Sequence, residues 1–159
     1  MSLKIKLVRV DNRLLHATVA LNWNSFVNAK YIAVVDPSHV NDPFVQKVMQ
    51  LCLPKKLQVK LFSNEQLLEF LNQEFMEDRN VIIIFKDLEA LKGAVEIGLD
   101  IKEVQIPYPA SGLLLKKMSD YFTPEEINCI RYVQENGIRF FFQTAPHDAK
   151  DYAFFKKKG

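Results

Sequence analysis

Asn80-Val81-Ile82-Ile83-Ile84-Phe85-Lys86 contains five apolar residues in succession, four of them β-branched, with no polar residue to face water. A strand open to solvent on one side alternates apolar and polar residues, whereas an unbroken run belongs to a strand covered on both faces, as in a parallel sheet under two layers of helix. Outward from this run, further β-branched bursts occupy 3–10, 31–36, 57–62, 101–107 and 138–143. Helical periods fall between them, most clearly Pro43 to Leu53, Asn64 to Met76, Leu88 to Leu99 and Pro124 to Asn136. Thr123-Pro124-Glu125-Glu126 places a cap, a first-turn proline and early acids together, while Gly98 and Gly137 stand where helices should stop. The alternation predicts an α/β fold: a single-domain, open, mostly parallel sheet flanked by helices on both faces, spanning 1–159. No repeat, low-complexity tract or flexible linker argues for a boundary within it.

Composition narrows the function classes. The chain has 159 residues, and 21 Lys+Arg against 19 Asp+Glu give a formal charge of +2, which supplies no electrostatic case for nucleic acid or an anionic membrane. At 48% hydrophobic and 25% charged residues it reads as an ordinary globular domain. Its apolar runs are far shorter than the roughly 18 residues of a membrane helix, and Met1-Ser2-Leu3-Lys4-Ile5-Lys6 has no signal-peptide character, so a soluble cytoplasmic chain is expected. Cys52 and Cys129 lie far apart in apolar, helix-like surroundings, with neither a disulfide framework nor a zinc spacing, and both are expected as buried thiols. The terminal Lys156-Lys157-Lys158 run reads as a solvated tail.

In an open parallel sheet, ligands bind beyond the carboxyl ends of the strands, here Arg9 to His16, Asp36 to Ser38, Phe62 to Asn64, Lys86-Asp87 and Pro107 to Gly112. The first segment, Arg9-Val10-Asp11-Asn12-Arg13-Leu14-Leu15-His16, gathers two guanidinium groups, a carboxylate and an imidazole within eight residues. A neutral imidazole is a competent nucleophile near neutral pH, and guanidinium forks suit phosphoryl oxygens. A helix starting near Arg13 would add backbone N–H donors. The plainer alternative is an Arg–Asp pair at a loop end beside a core histidine. His39 and His147 read as surface-loop residues, Trp23 and Phe140 to Phe142 as packing. No histidines and acids recur at metal-ligand spacing, so no metal and no cofactor are expected.

This segment, with Val19 after it, resembles the N-terminal signature R-[IV]-D-[DN]-R-L-[IL]-H-G-Q-V of the IIB components of the mannose/sorbose family of the bacterial sugar phosphotransferase system. The likeness continues through the second strand, the Pro54 region, the fourth strand and the late helix ending at Gly137. It implies that His16 accepts a phosphoryl group, through Nδ1, from a IIA phosphodonor. It further implies transfer to a hexose or amino sugar at the membrane IIC/IID transporter, with the chain peripheral to the inner membrane face. On that reading Arg13 and Arg9 offset charge on the phosphoryl oxygens and Asp11 orients an arginine or the imidazole. Thr18, Asp36, Ser38 and Ser111 are candidates for the phosphate or sugar mouth. Homo-oligomerisation is left open. Two features depart from the pattern: Ala17-Thr18 replaces Gly-Gln, and Pro107-Tyr108-Pro109-Ala110-Ser111-Gly112 is stiffer than the usual glycine-rich stretch. They keep alive a rival reading, a non-catalytic regulatory or binding domain on the same fold. A nucleotide-binding domain ranks last for want of a phosphate-cradling glycine motif.

Overall fold

The computed structural model describes residues 3–12, 28–76, 78–109 and 116–156. Among these residues six strands, β1 (Leu3–Val10), β2 (Tyr31–Val35), β3 (Gln58–Phe62), β4 (Arg79–Phe85), β5 (Glu103–Ile106) and β6 (Arg139–Phe142), form one sheet in the order β3-β2-β4-β1-β5-β6. All five pairings are parallel, with β1 shifting register between Ile5 and Leu7. The described helices are α1 (Pro43–Leu51), α2 (Asn64–Leu71), α3 (Leu88–Glu96) and α4 (Pro124–Glu135), joined by short 3₁₀ segments at Met118–Asp120 and Ala153–Lys156. The single open α/β sheet read from the strand pattern is therefore present, and its described strands are parallel throughout.

β4 shows why the unbroken apolar run was needed. Val81, Ile83 and Phe85 enter one core with α2, α3 and α4, while Ile82 and Ile84 enter a second core on the opposite face with Met49 of α1. Every residue from Val81 to Phe85 is fully buried, and each such side chain contributes about 1.5–3 kcal/mol relative to exposure. β2 divides in the same way, with Tyr31, Ala33 and Val35 on one face and Ile32 and Val34 on the other. Phe140, Phe141 and Phe142 are all buried, as a core strand requires.

Local signals set the helix starts. Asp42 caps α1 through the Phe44 N–H with Pro43 in the first turn; Ser63 and Thr123 form capping boxes with Gln66 and Glu126; and Asp87 caps α3 through the Ala90 N–H. Gly137 lies just beyond α4 at φ +84, where a Cβ would meet no neighbouring atom; the backbone conformation itself, and not lack of space, calls for glycine.

Two expectations need correction. Cys129 is buried, but Cys52 is exposed. α1 turns Val45 and Met49 to the core, and its outer side carries Phe44, Val48 and Leu51, so Cys52, at the C-cap, follows the outer side into solvent. α2 also stops at Leu71 instead of running to Met76. Phe75 leaves the helical path to pack on Tyr31 and Phe70, with ring centroids 5.9 and 6.0 Å away, and Arg79 covers its face at 5.4 Å.

Candidate functional site

The carboxyl ends of the strands are linked edge to edge by backbone hydrogen bonds. Asp11 N–H donates to Phe85 O, Lys86 N–H to Val35 O, and Asp36 N–H to Phe62 O. Asp11, Lys86 and Asp36 therefore stand side by side above β1, β4 and β2. The chain leaves β1 toward β2 and leaves β5 toward β6, in opposite directions along the sheet, which opens a crevice where parallel sheets hold ligands. A cleft of about 440 Å³ lies there, lined by Asp11, Asn12, Lys86, Asp87, Pro107 and Tyr108 among others. A larger cavity of about 810 Å³ lies along β1, β5 and β6, from the start of β5 to the loop after β6. Within it Glu103 is paired to Arg139 and Lys150, and none of Arg9, Val10, Asp11 and Asn12 lines it.

Arg9 is the best-defined member of the N-terminal motif. It is 2% exposed, and its guanidinium pairs with Asp11 Oδ2 at 3.2 Å through both Nε and Nη2. Nη1 donates to Gln105 Oε1 at 3.0 Å and to the Thr144 carbonyl at 3.3 Å. Gln105 passes the network on to Gln143 Oε1 at 3.0 Å, and Gln143 Nε2 reaches the Asp148 carbonyl at 2.8 Å. A buried polar chain thus runs from the end of β1, across β5, to the loop after β6. Low local dielectric makes such a chain costly to break, so it fixes the Asp11 carboxylate in place. Gln105 and Gln143 were missed from the sequence; the available signal was a glutamine inside an apolar strand, as in Val104-Gln105-Ile106.

A second cluster surrounds Asp36, which is fully buried. Its Oδ1 accepts from Ser38 N–H at 3.1 Å and Ser38 Oγ at 2.8 Å, and its Oδ2 accepts from His39 Nδ1 at 2.6 Å. Lys86 Nζ lies 3.7 Å from Oδ1 and donates to Ser38 Oγ at 3.3 Å. Burial pushes the Asp36 carboxyl up, but the hydrogen bonds from Ser38 and His39 and the charges of Lys86 and His39 outweigh it and hold the group below its ordinary value. Asp36 and Ser38, read from sequence as part of the mouth, are thus joined to it through Lys86. His39, read as a surface residue, is half-buried on Asp36, and His147 is exposed. Tyr108 walls the cleft and stacks on Phe142 at 5.1 Å; burial and the Asp151 and Asp148 carboxylates push its hydroxyl up.

Arg13, His16, Ala17, Thr18, Trp23 and Ser111 lie outside the described residues. Among the described residues no three His, Cys, Asp or Glu side chains gather to hold a metal, and no helix is long and apolar enough to cross a membrane.

Residues 5–158 match the family model described as the PTS system sorbose subfamily IIB component. The N-acetylgalactosamine-specific phosphotransferase enzyme IIB component 1 of Escherichia coli K12 is 26% identical over 150 residues, covering 92% of this chain and 94% of the relative. The sorbose-specific EIIB component of Klebsiella pneumoniae is 23% identical, covering 92% and 90%. The crystal structure of the E. coli N-acetylgalactosamine-specific IIB component 1 superposes with a TM-score of 0.79 at 26% identity, covering 93% of this chain and 98% of that one. The IIB domain of the sorbose permease from K. pneumoniae has the same fold, with a TM-score of 0.79 at 21% identity and coverage of 96% and 95%.

Proposed function

The chain belongs to the sorbose subfamily of IIB components of the sugar phosphotransferase system, and from that premise we propose that it is a phosphohistidine carrier whose acceptor is His16. IIB components are phosphotransferases; the carrier step is a nucleophilic displacement at phosphorus. The His16 imidazole attacks in line, its N–P bond forming as the bond from phosphorus to the IIA donor breaks, and the resulting phosphoramidate later gives its phosphoryl group to a sugar hydroxyl at the IIC/IID transporter. Such transfer depends on positioning and charge more than on elaborate side-chain chemistry. Arg13, three residues before His16, holds the phosphoryl oxygens. Arg9 acts through Asp11, keeping that carboxylate at the mouth of the cleft. The chain works in the cytoplasm at the inner membrane face and takes no cofactor.

The observation that carries this reading is the buried Arg9–Asp11 pair at the end of β1, beside the crevice that the strand order opens. It supports the reading because the carboxyl end of β1 is where a parallel sheet exposes its reactive groups.

The test is incubation with phosphoenolpyruvate, the general phosphotransferase proteins and IIA, followed by intact mass. One phosphoryl group, acid-labile and base-stable, should be gained by the wild type and by His39→Gln and His147→Gln, and lost in His16→Gln. Unchanged labelling of His16→Gln would sink the assignment.

A further inference from the structure

Lys86 stands outside the N-terminal motif, yet it lines the same cleft as Asp11. Its backbone is fixed by the hydrogen bond to Val35 O, and its side chain, 31% exposed, runs to the Asp36 cluster. There the carboxylate is already engaged at short range by Ser38 and His39, and Nζ stays at 3.7 Å from Oδ1. The ammonium has three N–H donors, and its hydrogen bond to Ser38 Oγ uses one. Asp36 and Ser38, which do not themselves line the cleft, therefore hold the ammonium beside it without using all of its donors.

The other charges of the cleft are committed elsewhere. Asp11 pairs with Arg9, Asp87 Oδ1 accepts from Ala90 N–H at 2.8 Å, and Glu126 Oε1 accepts from Thr123 N–H at 3.0 Å. Among the described residues lining the cleft, Lys86 is the one cation. A lysine ammonium is a compact point charge with rotatable donors, well suited to a single phosphoryl oxygen.

We propose that Lys86 is an anion-binding residue of this cleft that takes an oxygen of the phosphoryl group, with Asp36 and Ser38 as the positioning residues that hold its ammonium there. The identity of the anion rests on the carrier reading; the presence of an anion site does not.

The test combines two measurements on the full chain. Inorganic phosphate is titrated against the unphosphorylated protein by ³¹P NMR, and single-turnover charging by phosphorylated IIA is timed. Lys86→Met should weaken phosphate binding about tenfold and slow charging by a similar factor, the loss of one partly exposed cation, while Lys86→Arg stays within about threefold of wild type. Ser38→Ala should give a smaller loss of phosphate affinity that Ser38→Thr restores, a rescue that a merely structural hydroxyl would not produce in this readout. Melting temperatures should stay unchanged; if Lys86→Met melts early, Lys86→Gln takes its place. Phosphate binding that is absent from the wild type, or that ignores Lys86, overturns the proposal. If the wild type cannot be charged while phosphate binding still depends on Lys86, the carrier reading fails and the anion site stands.

Discussion

Arg9 carries a charge into the interior at the point where the candidate chemistry begins. Its fork is divided between Asp11, Gln105 and the Thr144 carbonyl. Removing one partner of a buried ion pair leaves the other charge desolvated, which costs about 3–5 kcal/mol, whereas replacing an entire pair need not. Arg9→Met should therefore lower unfolding free energy in urea by about that amount, and the double change Arg9→Met with Asp11→Leu should recover a large part of it. A single variant as stable as wild type would show that the guanidinium holds nothing in place. From sequence, Arg9 and Asp11 were legible as charges at a strand end, and an arginine oriented by Asp11 was among the readings, but which arginine it engages and how deeply the pair is buried were not. Gln105 and Gln143 were hidden for a related reason. A polar residue within or just after a short apolar strand marks a candidate buried group but does not name its partner, here 38 positions away.

The edge strand β3 depends on α1 for more than apolar cover. Gln46 Oε1 accepts from Leu61 N–H at 3.1 Å, Gln50 Oε1 accepts from Val59 N–H at 2.9 Å, and Gln50 Nε2 donates to Leu57 O at 3.0 Å. Among the described strands β3 pairs only with β2, so these two side chains satisfy amides that an edge would otherwise present to solvent or to another chain. Gln46→Ala with Gln50→Ala should speed amide hydrogen exchange at Val59 and Leu61 by about 2- to 12-fold, the equivalent of a net hydrogen bond each, with the β4 amides unaffected. Equal protection in both proteins would mean the glutamines are incidental. The existence and order of the elements were legible from periodicity and caps: Pro124–Glu135 matches the run marked by Thr123 and Gly137 almost to the residue. Helix ends without such a stop signal were not. The Leu71 to Phe75 spacing looks helical, and only the aromatic group with Tyr31 and Phe70 takes Phe75 off the helix.

The order β3-β2-β4-β1-β5-β6 unites the site, because it brings the ends of β1 and β4 together and sets β5 on the far side of the crevice. Periodicity names strands but not neighbours, and right-handed crossovers alone allow several orders, so this arrangement was beyond a residue-by-residue reading. The position of the site was nonetheless legible, since any open parallel sheet puts it at the carboxyl ends. What distinguishes a carrier from a silent domain on the same fold lies next to His16, where Ala17-Thr18 stands in place of Gly-Gln. Thr18 keeps a hydrogen-bond donor, and alanine is tolerated wherever φ stays negative, so transfer should survive these replacements. The measurement that tests this most directly is single-turnover transfer from phosphorylated IIA to the native chain and to Ala17→Gly with Thr18→Gln. Both should be charged, at rates within about tenfold of each other, a barrier difference of under about 1.4 kcal/mol. A native chain that stays uncharged while the double replacement is labelled faster by orders of magnitude would contradict it.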